Sequence, residues 1–192
     1  ARVRGLLPLR GALPEGGMPH GHLPHADSLV RLIRRWESAR VARLAAGRLA
    51  VGVACYPSGH AESATPDEDL DVLLAKQRLG ADFAITQLFF DAEDYVRFAE
   101  RARLAGVRIP LIPGIMPMTS RARVERMCQL SGLDAPRGVL DQLAAATSPE
   151  EEKEIGMQIT AALAQAVLRA GADGLHIYTH NNPDITTDLL NR

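Results

Sequence analysis

Five short apolar runs in the chain are each followed at once by residues able to do chemistry. The segments are Leu9-Arg10-Gly11-Ala12, Tyr56-Pro57-Ser58-Gly59-His60, Gln87-Leu88-Phe89-Phe90-Asp91, Pro113-Gly114-Ile115-Met116-Pro117 and Tyr178-Thr179-His180-Asn181. They hold guanidinium, phenol, imidazole and amide groups. Their one carboxylate, Asp91, reads as a helix cap. A lining of flat rings and donors, poor in acids, suits a planar and partly anionic organic ligand better than a metal-assisted hydrolysis.

Two other patterns are weaker. His20-Gly21-His22-Leu23-Pro24-His25 has spacings that could ligate a transition metal. It lies in a Gly/Pro loop with only Glu15 and Asp27 nearby, so a solvated loop is the favoured reading and no metal is expected. Ser58-Gly59-His60 pairs a hydroxyl with an imidazole, but no G-x-S-x-G elbow is present. A hydrolase is disfavoured.

Alternating strands and helices would position these segments. Residues 49–56, 83–90, 109–113 and 174–178 read as strands, as does the apolar run at the start, Leu6-Leu7-Pro8-Leu9. Their continuous rather than alternating hydrophobicity fits strands covered on both faces. Between them come helices. One starts at Asp27-Ser28 with Leu29, Val30, Leu32, Ile33 and Trp36 on one face, and a second spans 67–79 with Leu70, Leu73 and Leu74 inward. Asp91 caps a third, and shorter helices fill 119–146, broken at Gly132 and Pro136. Ser148-Pro149-Glu150-Glu151 opens a long one with an Ile155, Ile159, Ala162, Leu163, Ala166, Val167 stripe. Leu79-Gly80-Ala81-Asp82-Phe83, Ala105-Gly106-Val107-Arg108-Ile109 and Ala170-Gly171-Ala172-Asp173-Gly174 repeat one pattern of helix, glycine stop, turn and strand. Repeated strand–helix units predict an α/β fold with a parallel sheet. An eight-stranded barrel needs about 250 residues, so five strands in 192 residues read as the later part of one. An open α/β sheet is the alternative. No G-x-G-x-x-G or Walker-type loop supports a dinucleotide fold.

Composition narrows the class. With 22 Lys+Arg against 23 Asp+Glu the formal charge is −1, which gives no field for a polyanion and sets aside nucleic-acid and membrane-surface binding. No apolar run approaches the ~18 residues of a membrane helix. Cys55 and Cys128 lie far apart and form no CxxC. The expectation is a soluble, cytoplasmic, single-domain protein spanning residues 1–192. Because the chain opens with Ala1 inside a strand-like run, a processed product or fragment is also expected.

Taken together in order, the strand-end segments resemble the methylenetetrahydrofolate reductase family. The most specific stretches are Gly80-Ala81-Asp82-Phe83-Ala84-Ile85-Thr86-Gln87-Leu88-Phe89-Phe90-Asp91 and Pro110-Leu111-Ile112-Pro113-Gly114-Ile115-Met116-Pro117. Ala54-Cys55-Tyr56-Pro57-Ser58-Gly59-His60-Ala61-Glu62 looks like the family's A-x-Y-P-x-x-H-P-E, Leu9-Arg10-Gly11 like its L-R-G-D, and His176-Ile177-Tyr178-Thr179 like its H-F-Y-T. The resemblance implies a (β/α)8 TIM-barrel flavoprotein, of which this chain supplies about the last five strand–helix units. Its reaction would pass a hydride from NAD(P)H through FAD to 5,10-methylenetetrahydrofolate, giving 5-methyltetrahydrofolate. Position by position, Arg10, Gly11, Tyr56 and His60 would meet the FAD, and Ala26 would sit beside the flavin. Asp69 and Lys76 would hold its ribose and phosphate end, and Gln87 would bind the pterin and, in turn, the nicotinamide. Taken singly, Tyr56 could equally be a core aromatic, Gln87 a satisfied amide and Lys76 an exposed helix residue.

The departures from the family pattern are as informative. Ala12 replaces an acid against the flavin, and His25 a Tyr. Val72 and Ala75 replace an Asn and an Arg that contact the flavin cofactor. Met127, Arg123 and Asn182 replace a Phe, a Gln and a basic residue. Each lost charge-assisted contact could cost about 1–3 kcal/mol, so FAD binding is expected to be weakened. The family's proton-donating Glu belongs to an N-terminal third that has no counterpart here, so no catalytic acid is assigned. A homo-oligomer or a complementary N-terminal segment is the expected partner. Two functions stand at this point: a reductase, and a flavin-free or non-catalytic folate-binding relative.

Overall fold

A computed structural model of the chain describes residues 3–9, 21, 23, 25–44, 47–60 and 63–192. Arg10, Gly11, Ala12, His20 and His22, singled out above, lie outside the described residues. The elements are β1 (Gly5–Leu6), α1 (Ala26–Ser38), a 3-10 turn (Val41–Leu44), β2 (Ala50–Cys55), α2 (Pro66–Arg78), β3 (Phe83–Thr86) and α3 (Ala92–Ala105). They continue with β4 (Leu111–Ile112), β5 (Gly114–Ile115), α4 (Arg121–Ser131), α5 (Arg137–Ala144), α6 (Pro149–Arg169), β6 (His176–Ile177) and α7 (Pro183–Leu190).

Every ladder is parallel, and neighbours in the sheet are neighbours in sequence. β1 pairs with β2, β2 with β3 and β3 with β4, while β5 pairs with β6. This is an α/β fold. The expected strand at 109–113 is in fact two. Pro113 has no N–H to donate and separates Leu111–Ile112, which pairs with β3, from Gly114–Ile115, which pairs with β6. One stretch of chain thereby joins both ladders. The approach is close at Gly114, whose N–H donates to Thr86 Oγ1 at 2.8 Å. A Cβ there would run into the Thr86 carbonyl and the Tyr178 ring.

Helix ends follow their sequence signals. Asp91, Ser120 and Ser148 accept N-cap bonds, and Thr65 does so ahead of Pro66. Gly80, Gly106 and Gly171 in the repeated motif all adopt positive φ. Three expectations are corrected. α1 begins at Ala26 with His25 as N-cap rather than at Asp27-Ser28. Its buried stripe is Val30, Ile33 and Glu37, while Leu32 and Trp36 point to solvent. The buried face of α6 runs through Gly156, Met157, Thr160, Ala161, Leu163, Ala164 and Val167, wider than the expected stripe and leaving Ala162 exposed. Both helices turn on contacts the local pattern does not hold. Glu37 is buried because Arg34 pairs with it at 2.6 Å. Gly156 is buried because its missing side chain lets α6 approach the Met118 carbonyl, beyond the end of β5.

Two apolar clusters make the main core. One joins α1, β2, β3 and the sheet-facing sides of α2 and α3 through Val30, Val51, Val53, Leu73, Ala84 and Phe98. The other gathers Leu88, Phe89, Ile115, Met118, Val124, Leu143 and Val167 around β5 and α4–α6.

Candidate functional site

The parallel sheet brings Tyr56 and Gln87 to the C-terminal ends of adjacent strands, since Gln87 N–H donates to the Cys55 carbonyl at 2.8 Å. Beyond β2 the chain turns through Gly59, at φ 88°, and folds back towards α2. Asp69, in the first turn of α2, holds that return. Its Oδ2 accepts from His60 N–H at 2.9 Å and its Oδ1 from Ser63 Oγ at 2.7 Å. The Tyr56 and His60 rings meet edge to face with centroids 4.5 Å apart.

Lys76 reaches the same place from below. Leu70, Leu73 and Lys76 are spaced by three and share the buried face of α2, and helical side chains lean towards the helix N-terminus. Its ammonium donates to the Ala54 carbonyl at 3.0 Å. Burial pushes the Lys76 ammonium below the ordinary lysine value, opposed by the neighbouring Cys55, Asp27 and Asp69. Lys76 is only 7% exposed, so the reading of it as an exposed helix residue does not hold. Burial also pushes the Cys55 thiol up to about 12, which makes it inert as a nucleophile.

These side chains surround one cleft of about 360 Å³. Ala26, Tyr56, His60, Asp69 and Lys76, picked from three separate segments of sequence, all line it. Val72 and Ala75 line it too, together with Pro8, Leu9, His25, Asp27, Ser63 and Glu68. Sequence reasoning placed Asp27 only at the start of a helix and passed over Ser63. Asp27 could have been found from its place next to Ala26. Ser63 carried no local signal, because its part depends on Asp69 across the loop.

Gln87 does not line this cleft. It stands one strand further on, half-buried, with its side-chain oxygen accepting from Leu88 N–H at 3.1 Å. Across the sheet the Tyr178 hydroxyl donates to the Thr86 carbonyl at 3.0 Å, and the His176 and Tyr178 rings meet edge to face at 4.6 Å. Burial lowers the affinity of His176 for a proton and raises that of Tyr178. A flat donor and acceptor edge at Gln87 thus lies beside an aromatic pair held neutral.

A larger cavity of about 850 Å³ opens elsewhere, between residues 88–94, residues 132–139 and α6. Of the candidate segments it touches only the strand-end residues Ser58, Gly59 and 88–91. Among the described residues no group of His, Cys, Asp or Glu could hold a metal, and no helix is long and apolar enough to cross a membrane.

Compared with known proteins, residues 1–192 match the family model for methylenetetrahydrofolate reductase. The chain belongs to that family. It is 32% identical to a probable methylenetetrahydrofolate reductase (NADPH) of Caenorhabditis elegans over 98% of this chain and 28% of that protein. It is 30% identical to the 5,10-methylenetetrahydrofolate reductase of Pectobacterium carotovorum and 29% to that of Escherichia coli, over 96% of this chain and 58% of each enzyme. The chain therefore spans between about a quarter and three fifths of the length of these relatives. A solved structure of an uncharacterized Clostridium thermocellum protein, which binds two copies of 5-methyl-5,6,7,8-tetrahydrofolic acid, is similar at TM-score 0.48 and 16% identity, over 74% of this chain and 52% of that one.

Membership in a methylenetetrahydrofolate reductase family raises the question of whether the cleft fits FAD. The end bearing Tyr56, His60, Pro8 and Leu9 offers flat and apolar surfaces suited to a heteroaromatic ring. The end bearing Lys76 is less suited to a diphosphate. Its one ammonium is tied to the Ala54 carbonyl, and Asp27, Glu68 and Asp69 share the lining. Val72 and Ala75 offer no donor. The described residues do not fit a dianionic diphosphate.

Proposed function

We propose that this chain is the later part of the catalytic (β/α)8 barrel of a methylenetetrahydrofolate reductase. It would act on 5,10-methylenetetrahydrofolate with NAD(P)H as reductant, giving 5-methyltetrahydrofolate. The observation that carries this reading is the convergence of Ala26, Tyr56, His60, Asp69 and Lys76 on one cleft at the end of β2, with Gln87 on the next strand. Sequential parallel pairing from β1 to β4, and of β5 with β6, supports a barrel wall, because a closed barrel orders its strands as the chain does.

In this reading Gln87 binds the amide-like edge of the pterin through its side-chain oxygen and nitrogen. Tyr56 and His60 present the flat walls, and Asp69 positions them by tying down the 57–63 loop. The exposed β1 edge, with Leu6 and Leu7 open to solvent, supports further strands or a second copy as the partner. Two buried free thiols, Cys55 and Cys128, accord with a reducing cytoplasm.

The test is 5-methyltetrahydrofolate formation by the full-length protein bearing this chain, followed chromatographically with NADH and with NADPH. Gln87→Ala is expected to lower turnover at least about tenfold while leaving the far-ultraviolet spectrum unchanged. Undiminished turnover in that variant would remove Gln87 from the site, and no product from the unaltered protein would leave folate binding without reduction.

The flavin-free alternative is favoured by one observation, the pairing of Val72 and Ala75 with three carboxylates around Lys76. No step is assigned to FAD for that reason.

A further inference from the structure

The peptide group that joins Thr86 to Gln87 is held at both poles. Its N–H, that of Gln87, donates to the Cys55 carbonyl at the end of β2 at 2.8 Å. Its carbonyl, that of Thr86, accepts from the Tyr178 hydroxyl just beyond β6 at 3.0 Å. A peptide group is planar, so two bonds on opposite sides fix the plane from which the Gln87 side chain leaves. The bond from Tyr178 arises because the neighbouring ladder stops. β4 pairs with β3 only as far as Ile112 opposite Ile85, Pro113 brings no N–H, and Gly114 N–H goes to Thr86 Oγ1 at 2.8 Å. Thr86 is fully buried, and a buried carbonyl needs a donor. Tyr178 supplies it from 92 residues away. Gly114 leaves the space for this bond, since a Cβ there would meet both the Thr86 carbonyl and the Tyr178 ring. His176, two residues back and so on the same side of the strand, steadies that ring edge to face at 4.6 Å.

We propose that Tyr178 is a positioning residue for the ligand that Gln87 binds. Its hydroxyl holds the Thr86–Gln87 peptide so that the Gln87 amide meets the pterin in one orientation, and its effect on the ligand passes through Gln87. The fold contains its own control. The Tyr95 hydroxyl makes the same kind of bond, to the Leu111 carbonyl at 2.9 Å, but that peptide does not carry Gln87. The inference rests on the reading of Gln87 as the pterin-binding amide and deepens it by naming the residue that sets its direction.

The test is a double-mutant cycle read by equilibrium dialysis of 5-methyltetrahydrofolate against the full-length protein bearing this chain. Tyr178→Phe keeps the ring and its contact with His176 and deletes only the hydroxyl. It is expected to weaken binding about fivefold, as loss of one hydrogen bond would, while Tyr95→Phe stays within about twofold of the unaltered protein. Gln87→Ala is expected to weaken binding about tenfold or more. Added to Gln87→Ala, the Tyr178→Phe change should then cost less than about twofold, because residues acting through one contact are not additive. An equal loss from Tyr178→Phe in both backgrounds would overturn the proposal and leave Tyr178 a structural latch. Unchanged affinity in Tyr178→Phe, an equal loss in Tyr95→Phe, or no binding by the unaltered protein would overturn it too. Product formation is measured separately on the unaltered protein. Failure to reduce folate with the binding cycle intact would remove the reductase reading and leave the role of Tyr178 standing.

Discussion

The two ends of the parallel strands use charge in opposite ways. At the N-terminal ends of β2 and β3, opposite charges are matched. Arg34 pairs with Glu37 and with Asp82, both at 2.6 Å, and donates to the Leu49 and Gly80 carbonyls. Arg48 pairs with Asp82 as well, and Asp82 also accepts from Val51 N–H at 2.8 Å. Gln77 completes this floor by accepting from the Arg108 and Ile109 N–H groups and donating to Gly106. At the C-terminal ends the described residues place one buried ammonium, that of Lys76, and three carboxylates, Asp27, Glu68 and Asp69, around a cleft. The first arrangement fastens helices to strands, while the second gathers charged side chains around an open cleft. In parallel α/β folds this division is general, with stability at one end and chemistry at the other.

Removing Asp82 is the strongest way to break the contrast. Asp82→Ala removes one of the two carboxylates that pair with Arg34, the partner of Arg48 and the acceptor of Val51 N–H, and it is expected to cost about 3 kcal/mol. Urea unfolding would read this as a lower midpoint at unchanged slope. Next in size, Gly114→Ala should cost about 2 kcal/mol, because its Cβ must displace the Thr86 carbonyl or the Tyr178 ring. A thermal melt checks it, and a loss under about 0.5 kcal/mol would show that the junction between the ladders gives way freely.

An acid titration sharpens the electrostatic half of the comparison. Burial pushes the Glu37 carboxyl up, but the bonds from Arg34 and from Leu49 N–H outweigh it and hold the group below its ordinary 4.5. A carboxylate depressed in the folded state stabilises above its unfolded value and loses that contribution as pH falls through the folded one. The melting temperature of the unaltered protein should therefore fall more steeply below about pH 4.5 than that of Glu37→Gln. Parallel curves would show that Glu37 is not coupled to folding.

The smallest effect is expected at the cleft. Lys76→Met keeps the buried stem and removes an ammonium that burial disfavours, so stability should change by less than about 1 kcal/mol. Binding of anionic ligands should weaken at the same time. A large loss of stability would place Lys76 with Arg34 as a structural charge and erase the distinction between the two ends.

Several features were written locally and could be read without the fold. The glycine stops at 80, 106 and 171, the caps Asp91 and Ser148, and the apolar strands depend on neighbours a few residues away. So does the parallel α/β class, because strand–helix repeats leave few other ways to bury both faces of a strand. The candidates Tyr56, His60 and Gln87 were legible for the same reason, as residues standing just beyond strands.

Tertiary structure decided the rest. Pro113 splits one expected strand in two because β3 and β6 lie on opposite sides of it, which no window of sequence contains. Glu37 faces inward and Trp36 outward because Arg34 sits where Asp82, 48 residues on, can share it. Asp27, Ser63 and Lys76 become one site only when α1, the 57–63 loop and α2 close around the end of β2. Short-range preference sets which elements form. Which charges meet is set by contacts distant in sequence, because only the fold brings those residues within reach of one another.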